Sequence, residues 1–161
     1  MGKAMTTDLT TTEPAASGFF VAENSPSREQ VFALERQMRE LPPVEMPVTD
    51  HFSHGVYGRE LFIPAGSVLT GHIHKHTNLN VLLSGEMSVS TEDGMQRVTS
   101  GHVVVSPPGT KRVAYAHTDC RWLTVHGTHQ TDIEQIEREF IVHTEQEYLA
   151  FRETQQLLKG N

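Results

Sequence analysis

The chain has 161 residues and a formal charge of −7, from 13 Lys and Arg against 20 Asp and Glu. It is one domain's worth of sequence, too short for two ordinary cores, and its charge gives no electrostatic reason to approach a phosphate backbone. The single cysteine, Cys120, excludes an intramolecular disulfide and a thiolate zinc centre. No 18-residue apolar run and no signal-like segment is present, so the expectation is a cytoplasmic protein bound to neither membrane nor nucleic acid.

Residues 1–24 are rich in Thr, Ser, Ala and Gly and carry no sustained period, which predicts a flexible N-terminal arm pinned at its end by Phe19, Phe20 and Val21. In residues 25–43, Ser27 and Gln30 form a capping-box pattern, and Val31, Leu34, Met38 and Leu41 recur at spacings of three and four up to Pro42-Pro43. This predicts one short helix with a single buried face.

Over residues 50–128 the pattern changes to short runs rich in Val, Leu, Tyr and Thr: VYGRELFI, TGHIHKH, NLNVLLS, EMSVST, QRVTS, HVVVS, KRVAYA and RWLTVH. Turn chemistry at Pro64-Ala65-Gly66, Ser84-Gly85, Glu92-Asp93-Gly94, Ser100-Gly101 and Pro107-Pro108-Gly109 separates them. About eight short strands at close, even spacing predict a mainly β fold, a small antiparallel sandwich or barrel. The helical period returns in residues 129–161. Thr131 or Asp132 caps a stripe of Ile133, Ile136 and Phe140, and a second, weakly amphipathic helix follows from Thr144 to Leu158.

Ten histidines are present, and three of them, His72, His74 and His76, stand at alternate positions between two glycine turns. On an extended strand they share one face at separations of about 7 Å, close enough for two imidazoles to reach one ion. A divalent transition metal (Fe, Mn, Ni, Zn or Co) needs three or four such donors, and other strands can supply the rest.

Gly66, five residues, His72-Ile-His74 and then Gly85 resemble the first motif of the cupin superfamily. Gly101, five residues and Pro107-Pro108-Gly109 resemble its second motif. The stretches GVYGRELFIPAGSVLTG, PPGTKRVAYAH and WLTVH are also similar to small cupin-like proteins carried by phages and prophages. The resemblance implies a single cupin-type antiparallel β-barrel (jelly roll) with an N-terminal helix and C-terminal helices. It also implies metal-dependent oxygenase, isomerase or lyase chemistry if the chain is an enzyme.

Two positions depart from that family's ligand pattern: Asn78 stands where it has a glutamate and Arg112 where it has a histidine. Asn is a poor neutral donor, and Arg cannot coordinate a cation, but it does favour a carboxylate or phosphate. His76, His117 and His126 are the available replacements, giving His72, His74, His76 and His126 as the candidate metal set.

The candidate pocket comprises Asn78, Asn80, Arg112, Tyr57 and Trp122, with Arg59 and Tyr115 as further strand residues and His51 and His54 at a barrel mouth. Alternation places Trp122, Thr124 and His126 on one face of their strand but leaves open whether that face looks inward. By the cupin register Asn78, Asn80 and Leu82 face inward, so Leu79, Val81 and Leu83 require a cover, for which a homodimer is the economical choice. Three functions follow: a metal-binding cupin acting on a small polar or anionic molecule, a metal-free module binding such a molecule, and a phage-type interaction protein using the barrel as scaffold.

Overall fold

The computed structural model describes residues 24–160. The expected arm at residues 1–24 lies outside the described residues except for Asn24, which is exposed.

Helix α1 spans Arg28–Met38 and begins as the sequence predicts: the Ser27 hydroxyl accepts from the Gln30 N–H, and the Gln30 side chain accepts from the Ser27 N–H. Eleven strands follow in the order β1 (Val48–Ser53), β2 (Val56–Ile63), β3 (Val68–Thr70), β4 (Ile73–His74), β5 (Asn78–Ser84), β6 (Glu86–Thr91), β7 (Gly94–Thr99), β8 (Val103–Ser106), β9 (Val113–Ala116), β10 (Cys120–Gly127) and β11 (Ile141–Val142). Helix α2 (Ile133–Phe140), capped by Asp132, precedes β11, and α3 (Glu145–Lys159), capped by Thr144, follows it. No helix among the described residues is long and apolar enough to cross a membrane.

The strands form a five-stranded sheet in the order β1-β2-β10-β5-β8, a four-stranded sheet in the order β3-β9-β6-β7, and a small β11-β4 pair. All pairings are antiparallel. The fold is the expected mainly β jelly-roll architecture, with helices at both ends.

Alternation assigns the faces. Ile63, Leu82, Met87, Val89 and Ala116 pack together between the two large sheets with Cys120, closing one end of the interior. Gly85 turns the chain there with φ of +90°, and a Cβ at this position would lie 2.2 Å from the Asp119 carbonyl oxygen and 2.7 Å from Cys120 Sγ. Only glycine fits both the backbone angle and the space.

Helix α1 covers the four-stranded sheet through Val31 and Met38, which pack on Val68 and Val113. Phe32 on the same helix joins Ile73, Val142 and Tyr148, and so links α1, β4, β11 and α3. Arg28 ties this junction: its Nη2 donates to the Gly109 carbonyl at 2.7 Å and its guanidinium lies 4.1 Å above the Tyr148 ring.

Two expectations about local structure change. The first strand run read from the sequence begins at Val56, whereas Val48–Ser53 already forms β1 in an antiparallel hairpin with β2, which puts His51 on a strand and His54 in the turn between them. The histidine run is not one strand either. Only Ile73 and His74 pair, with Val142 and Ile141 of β11, and the chain bends at Lys75 and His76.

Candidate functional site

The end of the sandwich away from Gly85 is hollow. A cavity of about 770 Å³ lies between the two sheets, bordered by α1, α2 and the β11 segment. That volume suits a small organic molecule.

Its polar centre is Asn80. The Asn80 Nδ2 donates to Asn78 Oδ1 at 2.7 Å and to Ser106 Oγ at 3.0 Å, while its Oδ1 accepts from Thr124 Oγ1 at 2.9 Å and Trp122 Nε1 at 3.3 Å. Both donors and both lone pairs of the amide are therefore used. Strand register produces the set, since β5 lies between β8 and β10 with Asn78 opposite Ser106 and Asn80 opposite Thr124. Asn78 in turn donates to the His76 carbonyl at 3.3 Å.

Arg112 reaches the same cluster. Its Nη2 donates to Ser106 Oγ and its Nη1 to the Ser90 carbonyl, both at 2.9 Å. Both acceptors are neutral oxygens. Burial lowers the Arg112 pKa, and Glu92 acts in the opposite sense.

Arg59, on β2, lines the cavity between Tyr57 and Leu61. Its pKa is held down by burial and raised by Tyr57, Asp50 and Glu137. Tyr57 donates to Asp50 Oδ1 at 2.6 Å, and burial together with that bond pushes its pKa upward. Lys111 is a further cavity cation, and Glu35 of α1 pairs with it. The Lys111 ammonium also donates to the Gly71 carbonyl at 2.8 Å, and the Glu35 carboxylate accepts from Thr70 Oγ1 at 2.7 Å. Burial lowers the Lys111 pKa against the effect of Glu35.

The histidines divide. His72, His74 and His126 line the cavity, which settles the inward face of β10. The His74 and His126 rings stack at 4.9 Å between centroids and 21° between planes, and His126 also lies 4.6 Å from the Phe140 ring. Burial is the first cause holding all three pKa values down, to about 4 for His72, about 3 for His74 and about 4 for His126. For His72 the positive charges of Arg59 and Lys111 add to it. All three rings are neutral at neutral pH.

His76 is exposed after the bend and sets its ring edge-on to Phe140 at 5.3 Å, so it leaves the proposed metal set. His117 is elsewhere, with its Nε2 2.7 Å from Ser88 Oγ. Among the described residues no three His, Cys, Asp or Glu side chains converge as metal donors. Two of the missing donors are accounted for: Asn78 spends its oxygen on Asn80, and at Arg112 a guanidinium, which cannot coordinate a cation, stands in place of a histidine. The residues present do not fit a divalent cation.

Of the candidate pocket, Tyr57, Asn78, Asn80, Arg112 and Trp122 all line the cavity, as does Arg59. Tyr115 instead packs with the α1 cluster. His51 bonds Glu60 Oε2 at 2.8 Å on the far side of the five-stranded sheet, and His54 sets its ring against His129 at 5.0 Å, so neither caps a mouth. Sequence reasoning missed Lys111 and Ser106 as pocket residues, and Glu35 with them. For Ser106 a signal existed, because its register partner is Asn78; for the Lys111 and Glu35 pair, 76 positions apart, there was none.

No protein-family model matches the sequence, and no curated protein is significantly similar to it. Solved structures similar to the chain include an RmlC-like cupin from Shewanella frigidimarina, at 18% identity and a TM-score of 0.46 over 55% of this chain and 80% of that one. KdgF from Halomonas sp. is similar at 17% identity and a TM-score of 0.45, over 55% and 81% of the two chains. A cupin superfamily protein from Desulfitobacterium hafniense is similar at 13% identity and 0.44, over 52% and 77%. The likeness is one of fold.

Proposed function

We propose that the chain is a metal-free binding module whose cavity takes a small organic anion, a carboxylate on a compact apolar body. The observation that carries this reading is Arg112: a half-buried cavity cation whose two hydrogen bonds go to neutral oxygens, with Glu92 acting on it only through space. A partly desolvated cation with no carboxylate in hydrogen-bonding contact gains most from one, and a ligand carboxylate supplies that partner through charge-assisted hydrogen bonds.

The stacked histidines support the same reading. Nδ1 of both His74 and His126 is sealed from solvent without a hydrogen-bond partner. A stranded N–H is rarer in proteins than a stranded lone pair, so the unpartnered Nδ1 atoms assign the proton of each neutral ring to Nε2. The cavity then gains two further donors beside its guanidinium groups. Trp122, Phe140 and Ile136 among the lining residues offer the apolar surface for the rest of the ligand.

Calorimetric titration with benzoate and with its neutral analogue benzamide tests the charge requirement. Benzoate binds, benzamide binds more than tenfold more weakly, and Arg112→Met reduces benzoate affinity by roughly 10- to 100-fold, the value of one charge-assisted interaction. Equal binding of the two compounds, or an unchanged affinity in the variant, defeats the proposal. Elemental analysis of protein purified without a polyhistidine tag tests the metal-free part, which fails if stoichiometric metal is found and is lost in His74→Ala.

A further inference from the structure

Two arginines reach the cavity from opposite sides of its floor. Arg59 stands on β2, and Arg112 is held at the end of β8 by Ser106, with β10 and β5 between them. Register places Arg59 opposite Thr124, Thr124 opposite Asn80, and Ser106 opposite Asn78, all on the cavity side. Strands β2 and β8 are three strand spacings apart, about 14 Å at roughly 4.8 Å each. A single carboxylate is much smaller than that gap, even after the arginine stems extend into it.

Arg59 also lacks a direct partner. Among the described residues it makes no hydrogen bond and no ion pair. Asp50, its cross-strand neighbour on β1, accepts from the Tyr57 hydroxyl, and Asp50 and Glu137 act on Arg59 only through space. Lys111, by contrast, is neutralised in direct contact with Glu35. The Arg59 charge is felt across the cavity, where it helps to hold down the pKa of both His72 and His74. A guanidinium presents five N–H donors in a planar fork matched to a carboxylate, and that of Arg59 borders the cavity with its fork unused.

The ground between the two arginines has a different character. In the row that joins them, Thr124 Oγ1 and the Asn80 amide are already bonded to one another, and Asn80 spends its remaining donors on Asn78 and Ser106. From the four-stranded sheet, Leu69, Val89 and Ala114 line the same cavity with apolar side chains.

We propose that the ligand is a dicarboxylate bound end to end, with one carboxylate on Arg112, the other on Arg59, and an apolar body between them. The proposal rests on the reading of the cavity as an anion site and adds to it a second charge and the residue that selects for it. Each guanidinium then gains a charge-assisted partner, and a monoacid leaves Arg59 without one.

Isothermal titration of the full chain with terephthalate, with its monomethyl ester and with benzoate reads the second charge. Terephthalate binds roughly tenfold or more tightly than its monoester, the value of one charge-assisted interaction. Adipate against its own monoester shows the same preference with a flexible body, so the result does not hang on the fixed span of terephthalate. Arg59→Met narrows the preference to within about threefold, whereas Arg112→Met weakens diacid and monoester together. Arg59→Lys, which keeps the charge and loses the fork, retains part of the preference. Far-ultraviolet dichroism checks that the variants fold, and the wild-type preference decides alone if Arg59→Met does not. A wild type that binds benzoate through Arg112 but prefers neither diacid over its monoester overturns the inference and leaves the single-carboxylate reading standing. Loss of monoester and diacid affinity to the same extent in Arg59→Met overturns it too, since both arginines would then hold one carboxylate. Absence of binding by every one of these compounds at millimolar concentration overturns both readings.

Discussion

The two ends of the sandwich interior are built from the same strands and differ only in which residues alternation delivers to them. On β5, Leu82 is fully buried at the closed end, and Asn80 and Asn78, two and four positions earlier, face the hollow end. On β10 the order is Cys120 in the closed end, then Trp122, Thr124 and His126 toward the cavity. One end exchanges water for close packing, while the other keeps space and polar groups that close packing does not require. The closed end holds the fold, and the hollow end is where the proposed ligand would sit.

Acid separates the two ends most strongly. His72, His74 and His126 have folded pKa values near 4, 3 and 4, below the ordinary 6.5. The folded state therefore binds fewer protons than the unfolded chain in this window, so the stability these rings contribute is present above about pH 6.5 and declines as pH falls toward 4. Each ring contributes a slope of up to about 1.4 kcal/mol per pH unit. Urea denaturation from pH 7.5 to 4 should show this loss, and His126→Phe should flatten it. An acid profile that is level down to pH 4.5 would mean that the hollow end is not sealed enough to keep these rings neutral.

Gly85→Ala attacks the closed end alone. The added methyl meets the Asp119 carbonyl and the Cys120 sulfur at distances no backbone tolerates, with the chain at positive φ besides. A loss of about 4 kcal/mol or more is expected, seen as failure to accumulate soluble folded protein. Gly66→Ala is the control, with a similar φ of +79° but open space around its Cβ, and it should cost only about 1 kcal/mol. Similar losses in the two variants would locate the effect in backbone angle and not in packing at the closed end.

Much of this division was legible in the sequence. NLNVLLS and EMSVST coincide with β5 and β6, because period-two alternation bounded by a glycine turn admits few other conformations. The same alternation put Asn78 and Asn80 on one face and Leu79 on the other, and the resemblance to the cupin register chose the inward one. It could not orient β10, where both faces carry apolar residues; His126 became an inward group only once β10 was paired between β2 and β5. The HxHxH spacing misled for a related reason. Alternation applies only while the chain stays extended, and the bend at Lys75 and His76 ends it after His74. Strand β1 was hidden because VTDHFS is largely exposed, leaving no buried face to write a pattern. Long-range polar pairs such as Lys111 with Glu35 leave no local trace at all.

Arg112→Met gives the smallest expected change in stability and sharpens the comparison furthest. If the polar groups of the hollow end were structural struts, removing this guanidinium would strand the Ser90 carbonyl and Ser106 hydroxyl and cost about 3 kcal/mol or more. If the end is kept for a ligand, methionine fills similar volume, relieves a desolvated charge and leaves Asn80 bonded to Ser106, so denaturation at pH 7.5 should move by less than about 1 kcal/mol in either direction. The same residue would then be nearly silent in folding and decisive in binding. A stability loss near that of a core truncation would instead make Arg112 part of the scaffold, and the cavity would lose its strongest reason to attract an anion.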